Sequence, residues 1–254
     1  MKPLYPHNNR KKEVIILTKI TLVTGADRGM GLEIVKELAA AGQHVLLGTR
    51  NIARGQAAIT QLGAANVDPI QLDVADDNSV QAAATQIKDQ CGRLDCLINN
   101  AGIALDNYEA PSTIPVATIR KDFDVNFFGL ITVTQAMLPL LKLAPSAKII
   151  NVSSAVGSLT LASDATTSIY QHSAVGYQAS KTAVNMFTVD LANELSDTTV
   201  TVNAVNPGWV DTSFAGGGGD KTVQEGVART VELALLATND ITGTFSDTQG
   251  IVPW

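Results

Sequence analysis

Tyr177 and Lys181 are the two side chains whose types and spacing most directly suggest chemistry. They lie four residues apart in a stretch that reads as a helix, so both fall on one face, one turn apart. A phenol has an ordinary pKa of about 10, and a neighbouring ammonium group favours the phenolate, which would make Tyr177 a proton donor near neutral pH. The pair alone is weak evidence, because Tyr and Lys recur at this spacing on ordinary solvated helix faces.

The composition describes one globular domain of ordinary make-up. The chain has 254 residues, of which 45% are hydrophobic and 17% charged. A formal charge of -6 and a sequence pI near 5.0 argue against nucleic acid or an anionic membrane as the main partner. The basic cluster Arg10 to Lys12 lies in a polar leader, so we expect residues 1–17 to be a poorly ordered extension and residues 18–254 to form the domain.

Several other classes of protein are disfavoured. No apolar run approaches the eighteen or so residues of a membrane span, and Val14 to Val23 runs into a glycine loop rather than a cleavage site. Cys91 and Cys96 fit neither a redox nor a zinc pattern, and the chain has three His, so we expect no metal site. We expect two reduced cysteines in a cytoplasmic protein.

Short β-branched runs alternate with amphipathic helical patterns from about residue 19 onward, which indicates repeated βαβ units and a parallel sheet. The predicted strands are residues 20–24, 45–49, 67–72, 94–98, 149–152, 200–205 and 243–245. One predicted helix follows the first strand. The other predicted helices occupy residues 51–62, 76–91, 118–141, 177–195 and 223–237. Four consecutive glycines, Gly216 to Gly219, bury nothing and lose much entropy on ordering, so they predict a mobile flap.

A glycine-rich loop joins the first predicted strand to the first helix. Glycines at such a place let the backbone turn sharply, approach a pyrophosphate and pack the helix on the strand, while the helix N-terminus supplies amide donors. The spacing G-x-x-x-G-x-G differs from the commoner dinucleotide fingerprint, so the loop by itself is moderate evidence for a nucleotide. Its residues are Gly25, Ala26, Asp27, Arg28, Gly29, Met30 and Gly31.

The end of the second strand indicates which nucleotide. In NAD-binding folds an acidic residue there accepts hydrogen bonds from the ribose 2′-OH. The corresponding stretch is Gly48-Thr49-Arg50, without a carboxylate. Arg50, helped by Arg28, instead offers guanidinium groups suited to a 2′-phosphate, which favours NADP over NAD.

Taken in order, these motifs resemble those of the short-chain dehydrogenase/reductase family, from about Ile20 to the end of the sequence. The resemblance implies a doubly wound α/β Rossmann fold with a parallel sheet of about seven strands and helices on both faces. It is nearest to the carbonyl reductases, which share Asn126-Phe-Phe-Gly129 and the stretch from Arg54 to Ala58. The matching motifs are the glycine loop, Asp73-Val74, Asn99-Asn100-Ala101-Gly102, Asn126, Ser153-Ser154, Tyr177 with Lys181, Pro207-Gly208 and Thr212.

The resemblance also implies which residues bind the cofactor, NADPH or NADP+. Asp73 would bond the adenine amine, and Val74 would pack near it. The adenosine ribose and the middle of the cofactor would be lined by Asn100, Ala101 and Gly102. The nicotinamide would be flanked by Pro207, Gly208 and Val210, with Thr212 bonding its carboxamide.

The catalytic set implied by the resemblance is Asn126, Ser154, Tyr177 and Lys181. Tyr177 would donate a proton to the carbonyl oxygen, Ser154 rather than Ser153 would stabilise that oxygen, and Lys181 would bond the nicotinamide ribose. Asn126 resembles the asparagine that kinks a helix and holds a water of the proton relay through its backbone. The expected activity is NADPH-dependent reduction of ketones or aldehydes.

Two departures from the compact family pattern concern access to the site. Residues 155–176 contain an insertion, which we expect to be a surface excursion at the rim, with His172 as a rim histidine. The glycine run replaces the usual lid helices, so we expect an open site that accepts bulky ketones, for which Trp209 and Phe214 could supply apolar walls. In the carbonyl reductases a longer insertion obstructs the dimer face; here a homodimer is favoured, with a homotetramer left open.

Two alternatives remain. An NAD-dependent secondary alcohol or sugar dehydrogenase would use the same fold in the oxidative direction. A non-catalytic dinucleotide sensor would need no intact Ser-Tyr-Lys set, and this chain keeps all three.

Overall fold

An eight-stranded sheet forms the centre of the fold in the computed structural model, which describes residues 18–171 and 174–254. The spatial order of the strands is β3-β2-β1-β4-β5-β6-β7-β8, with β1 to β7 parallel and β8 antiparallel to β7. The strands are β1 Ile20–Val23, β2 His44–Thr49, β3 Val67–Gln71, β4 Cys96–Asn99, β5 Ala147–Val152, β6 Val200–Val205, β7 Phe245–Asp247 and β8 Gly250–Ile251. The predicted doubly wound α/β fold is confirmed. The expected extension, residues 1–17, and His172 lie outside the described residues.

Helices cover both faces of the sheet. They are α1 Gly29–Ala40, α2 Ile52–Leu62, α3 Asp77–Cys91, α4 Val116–Phe123, α5 Leu130–Leu141, α6 Leu159–Ser163, α7 Val175–Glu194 and α8 Val223–Leu235. Single turns of 3-10 helix occur at Ala155–Gly157, Ser168–Gln171 and Ser213–Ala215. Asn51 and Asp76, predicted as the first residues of their helices, are the N-caps of α2 and α3, where each side chain accepts a backbone N–H.

Side chains of the central strands point alternately to the two faces of the sheet, which divides the core into two layers. On one face Leu22, Leu97 and Ile149 pack with α3 and α5, and on the other Val23 and Ile98 pack with α1, α2 and α8. Since side chains of a strand point alternately to opposite faces, such doubly covered strands are apolar throughout. This double covering explains why the sequence shows continuous β-branched runs rather than a polar-apolar alternation.

Most predicted strand ends differ from the observed ones by one or two residues. β4 begins at Cys96 and not at residue 94, because the Leu94 N–H donates to the carbonyl of Leu140 at the end of α5. The predicted seventh strand, residues 243–245, is observed at Phe245–Asp247, and the two-residue strand β8 was not predicted. A two-residue strand has too few positions to show a period.

The helical run Val116–Leu141 is long enough and on average apolar enough to cross a membrane, although charged residues interrupt it and it holds no apolar run of that length. Its most apolar window has a mean hydropathy of 1.3 and is 44% buried inside the fold. Val133 and Met137 of α5 are fully buried in the core layer formed with α3. Burial against the sheet accounts for this hydropathy, as it does for core helices in general.

Candidate active site

A cleft opens at the carboxyl ends of β1 to β6, which is where ligands bind in open α/β sheets. Its walls come from the loops that follow these strands and from the first turns of α7. The lining residues include Gly25, Asp27, Arg28, Gly29, Met30, Gly31, Arg50, Asp73, Val74, Asn100, Ala101, Gly102, Tyr177, Lys181, Pro207 and Thr212. The structure thus brings together sixteen of the residues that the sequence proposed for the site. Among residues 18–171 and 174–254, no three or more His, Cys, Asp or Glu side chains are grouped to hold a metal ion.

The glycine loop has the shape that its sequence predicts. Gly25 and Gly29 have φ of 61° and 56°, in the left-handed region that favours glycine. A Cβ on Gly31 would lie 2.6 Å from the carbonyl oxygen of Gly25, and one on Gly25 would lie 2.9 Å from the Cα of Ala101. No side chain fits at either position without moving backbone. The loop therefore presents bare backbone and the N-terminus of α1 to the cleft.

Three guanidinium groups line one end of the cleft, where the sequence predicted two. Arg28 and Arg50 are both exposed to the cleft, as expected. Arg54, in the first turn of α2, joins them, and its Nε lies 3.1 Å from Oδ2 of Asp27. Asp27 is thereby occupied with orienting Arg54, and the end of the cleft retains an excess of positive charge.

Hydrogen bonds hold the residues after β3 and β4 at the cleft. Asn100 donates from its side-chain amide to the carbonyl of Thr24 at 2.9 Å and to that of Gly25 at 3.2 Å. The Thr24 hydroxyl in turn accepts the backbone N–H groups of Asn100 and Ala101. Asn100 thus fixes the glycine loop against the end of β4. Asp73 accepts the N–H of Ala75 and lines the cleft beside Val74.

Asn126 lies outside the cleft lining, inside the segment of π-helix Asp124–Gly129 that joins α4 to α5. Its side chain is fully buried, accepts the N–H of Ile103, and donates to the Ile103 carbonyl and the Ser180 hydroxyl. A π-helical turn interrupts the regular hydrogen bonding of a helix. The resemblance implied a kink at Asn126, which stays a prediction; the side chain braces the loop after β4 against α7.

The two serines after β5 point in different directions. Ser153 is buried, and its hydroxyl donates to Oδ1 of Asn185 at 2.6 Å. Ser154 caps the turn Ala155–Gly157 and is hydrogen-bonded to the hydroxyl of Tyr177. Ser153 lines the cleft and Ser154 does not, so the choice of Ser154 stays a prediction.

Tyr177 and Lys181 face each other on the first turns of α7, with Lys181 Nζ 5.6 Å from the centre of the Tyr177 ring. Nζ donates to the carbonyl of Val152 at 2.8 Å. Burial raises the pKa of Tyr177 to about 12, against the lowering effect of its hydrogen bond to Ser154, and burial lowers the pKa of Lys181 to about 8. The predicted lowering of the Tyr177 pKa is therefore wrong, because desolvation of the phenol is the largest effect on it.

The segment after β6 places two of its four predicted residues in the cleft. Pro207 and Thr212 line it, with the Thr212 methyl group next to Gly29 across the cleft. Gly208 and Val210 do not line it. Gly208, with φ of 78°, packs its Cα against the side chain of Lys221, and Val210 is buried against Gly226 of α8. Val210 thus attaches the segment to α8, and Gly208 packs on Lys221 just before this helix.

The glycine run after this segment is a defined turn. Gly216, Gly217 and Gly218 have φ of 72°, 83° and 80°, and the N–H of Gly218 donates to Oδ1 of Asp211. The mobility expected from four glycines stays a prediction. Phe214, just before the run, lies in the cleft with its ring centre 5.8 Å from that of Tyr177, whereas the largely exposed Trp209 does not line the cleft.

The insertion before Tyr177 forms a short helix, α6, between two 3-10 turns. The carbonyl of Trp254 accepts the N–H of Thr160 and the hydroxyl of Ser158. The expected excursion therefore exists, and the last residue of the sequence holds it in place.

Sequence reasoning missed several lining residues, of which Arg54 is the most polar. The stretch Arg54 to Ala58 had been noted as shared with carbonyl reductases, and this match was the signal that could have assigned Arg54 to the site. The others are mostly apolar and carry no motif: Leu72, Ile103, Val125, Val152 and Ser213.

Comparisons with known proteins agree with this site. The family profile described as short chain dehydrogenase matches residues 19–221. The chain is 33% identical over 229 residues to short-chain dehydrogenase anuI of Penicillium roqueforti, covering 85% of this chain and 88% of that protein. It is also 33% identical over 256 residues to the NADPH carbonyl reductase 1 of Pongo abelii, covering 85% and 91%. A crystal structure of NADPH-bound carbonyl reductase from chicken fatty liver matches with a TM-score of 0.82 at 29% identity, over 93% of this chain and 99% of that one.

The chain therefore belongs to the short-chain dehydrogenase family of oxidoreductases, whose members use nicotinamide cofactors and act on small molecules. Its similarity extends to the carbonyl reductase-like members, as the sequence motifs had indicated.

Proposed function

We propose that this protein is an NADPH-dependent carbonyl reductase that reduces ketones or aldehydes. One observation carries the proposal: a single cleft holds Tyr177 and Lys181 at one end and three arginines at the other. The arginines suit the 2′-phosphate that distinguishes NADP from NAD. The NADPH-bound carbonyl reductase from chicken fatty liver supports the same cofactor for this chain.

The residues of the cleft suit a dinucleotide along its whole length. Gly25 and Gly31 let the loop pack closely on Ala101 and Ala26, since a Cβ at either position would meet backbone. This packing leaves the N-terminus of α1 free to bind a pyrophosphate. We assign the 2′-phosphate to Arg28, Arg50 and Arg54, the adenine to Asp73 and Val74, and the nicotinamide end to Pro207 and Thr212.

The bound cofactor would supply a hydride to the carbonyl carbon, and negative charge would then develop on the carbonyl oxygen. Tyr177, with its pKa of about 12, is protonated at neutral pH and is the proton donor to that oxygen. An alkoxide is more basic than a phenolate, so this transfer is downhill even for a phenol of raised pKa. Ser154, hydrogen-bonded to Tyr177, stabilises the same oxygen.

Lys181 acts in this proposal by position and charge. Its ammonium group, held by the Val152 carbonyl, lies beside the Tyr177 ring and faces the cleft. When the phenol gives up its proton, the positive charge at Nζ stabilises the phenolate that forms. Asn126, with its side chain engaged at Ile103 and Ser180, keeps the loop after β4 in register with α7.

The substrate is proposed to be a bulky ketone or aldehyde. Phe214 is half exposed beside Tyr177, and the short turn at Gly216 to Gly218 leaves this side of the cleft without a helical lid. An aromatic wall next to the proton donor favours aryl ketones, because flat apolar groups stack on an aromatic ring.

The experiment is carbonyl-dependent oxidation of NADPH by the purified protein across a panel of aryl ketones, ketoesters and α-diketones. Tyr177→Phe should lower kcat at least about a hundredfold, since a general acid contributes 10² to 10⁴. Tyr170→Phe is the matched control, because Tyr170 is an exposed phenol in the insertion, and it should keep full activity. No turnover with any carbonyl, or full activity in Tyr177→Phe, would remove the proposal.

The cofactor preference is measured as binding of NADPH and NADH by the same purified protein. The parent should bind NADPH more tightly than NADH, and Arg50→Asp should reverse the order, because a carboxylate repels the phosphate and accepts from the ribose hydroxyl. Tighter binding of NADH by the parent would favour the NAD-dependent alcohol or sugar dehydrogenase instead. We further propose a cytoplasmic homodimer; the thiols of Cys91 and Cys96 are both free, as a reducing compartment would keep them.

A further inference from the structure

The helix that carries Tyr177 has no cap of its own. Ala174 occupies the N-cap position of α7, and its methyl group cannot accept a hydrogen bond. The N–H groups of Gly176 and Tyr177 instead donate to Oδ2 of Asp106, at 2.8 Å and 3.1 Å. A carboxylate from the loop after β4 therefore takes the place of the missing cap, at the end of the helix where negative charge is stabilising.

Asp106 does not stand alone, because Asp122 of α4 lies against it. Both side chains are buried, with 1% and 0% exposure, and Oδ1 of Asp122 accepts the N–H of Leu105 at 3.1 Å. The two remaining oxygens, Oδ1 of Asp106 and Oδ2 of Asp122, are buried with no partner besides each other. Each lies 2.8 Å from the point where a Cβ on Gly176 would stand, so glycine is needed there for both to fit.

Two ionised carboxylates offer acceptors only and repel each other, so this arrangement requires a proton between them. We propose that Asp106 and Asp122 form a proton-sharing carboxyl pair that caps α7 from outside and positions Tyr177 for proton transfer. Asp106 carries the negative charge toward the helix, and Asp122 holds the proton.

The surroundings of the pair agree with this assignment. Burial, followed by Asp106, raises the pKa of Asp122 to about 7 from an ordinary value near 3.8. The titratable side chains facing Asp122 from the packed elements are Asp106 and Tyr177, and ionised Asp122 raises the pKa of Tyr177. Arg120 and Lys121 of α4 and Asp124 of the π-helical segment that follows are exposed to solvent. Loss of the shared proton therefore both strains the cap and weakens the proton donor.

The role in positioning rests on the proposed reductase function, so its first readout is the pH profile of kcat with saturating NADPH. We expect kcat of the parent to decline above about pH 7. Asp122→Asn keeps an N–H that donates to Asp106 and cannot ionise, so its decline should move to about pH 8, where Lys181 loses its charge. Asp106→Asn removes the charge at the helix end and should lower kcat about tenfold to a hundredfold, with NADPH affinity unchanged.

A second readout needs no activity. Between about pH 4 and pH 7 the folded chain holds a proton on Asp122 that the unfolded chain has released, so the stability of the parent falls as the pH rises through that window. Asp122→Asn lacks this group. Its Tm relative to the parent should therefore rise from pH 4 to pH 7 and then level off, while the exposed control Asp124→Asn should show a constant difference.

These readouts separate the two proposals. Absence of any reductase activity with a rising Tm difference would refute the proposed function and keep the proton-sharing pair. A Tm difference independent of pH, or identical kcat profiles for the parent and Asp122→Asn, would overturn the pair. If Asp122→Asn does not fold, carbon-13 NMR of the aspartate carboxyl groups in the parent decides: one must titrate near pH 7, and none titrating above pH 6 contradicts the inference.

Discussion

Lys181 is held as a cation in a place that disfavours charge. Its side chain is 4% exposed, and burial lowers its pKa to about 8. At about 1.4 kcal/mol per pKa unit, keeping it protonated at pH 7 costs about 3 kcal/mol of folding stability. Such a cost at a site beside a buried phenol is typical of a group kept for chemistry rather than for stability.

We expect Lys181→Met to stabilise the protein at pH 7 by about 2 kcal/mol, after the lost hydrogen bond to Val152 is subtracted. Because the folded pKa is lowered, the advantage should be complete below about pH 8 and vanish by about pH 10.5, where the lysine is neutral in both states. Carbonyl reduction should fall sharply in the same variant. Urea unfolding at pH 7 and pH 10 measures the first effect.

The matched control is Lys148→Met. Lys148 is also buried with a lowered pKa, and it donates to the carbonyls of Leu236 and Thr238, on the far side of the fold from Tyr177. The Lys148→Met variant should therefore leave kcat unchanged. A Lys181→Met variant that is less stable than the parent at pH 7 would contradict the argument.

At the scale of single residues, the sequence predicted which side chains form the site better than it predicted their pKa values. The four-residue spacing placed Tyr177 and Lys181 on one face, and it could not show how deeply that face is buried. Desolvation, which depends on every surrounding element, therefore reversed the predicted pKa shift of Tyr177. The pair Asp106 and Asp122 was invisible for a similar reason, because they lie sixteen positions apart in the sequence and only the loop after β4 brings them into contact.

Among the elements, the glycine run is a turn with specific steric requirements. A Cβ on Gly219 would lie 2.3 Å from both the N of Asp211 and the carbonyl carbon of Val210, so Gly219→Ala must displace backbone. We expect it to lower stability by about 2 to 3 kcal/mol. Since the moved segment leads into Thr212, which lines the cleft, NADPH affinity should fall as well.

Gly218→Ala is the control for this turn. A Cβ there meets nothing within 4 Å, and its cost is the left-handed φ of 80°, about 1 to 2 kcal/mol. Its NADPH affinity should remain close to that of the parent. Equal losses of NADPH affinity in the two variants, measured by fluorescence titration, would mean that the run acts through flexibility instead of close packing.

The strands and most helices were predictable because burial on both sheet faces gives each strand a short apolar run, as in Val200–Val205. The ends of strands were less predictable where a hydrogen bond to another element ends the strand, as at Leu94. The glycine loop could be predicted in detail, because its conformations follow from the residue type alone. The rest of the cleft's apolar wall could not, since Ile103 and Val125 carry no motif and reach the cleft only through the fold.

At the scale of the whole molecule, strand β7 and the last residue, Trp254, are joined to the insertion beside the active site. Phe245 of β7 is fully buried and stacks on Trp254, with ring centres 5.6 Å apart and planes at 25°. The carbonyl of Trp254 holds the insertion through Ser158 and Thr160. The insertion that precedes Tyr177 is thus tied to the edge of the sheet, which limits how far this rim of the cleft can move.

Trp254→Ala should therefore loosen the insertion as well as the sheet edge. Loss of the stacked ring should cost about 2 kcal/mol in urea unfolding, because Trp254 is 38% exposed and its contacts are only partly buried. The amide of Thr160, which donates to Trp254, should exchange with solvent faster, while the amide of Ala162, which donates within α6 to Ser158, should change less. Trp254→Phe keeps an aromatic ring against Phe245 and should preserve most of the protection at Thr160. Unchanged exchange at Thr160 in Trp254→Ala would mean that the insertion is held by its own turns and that the sheet edge does not control this rim.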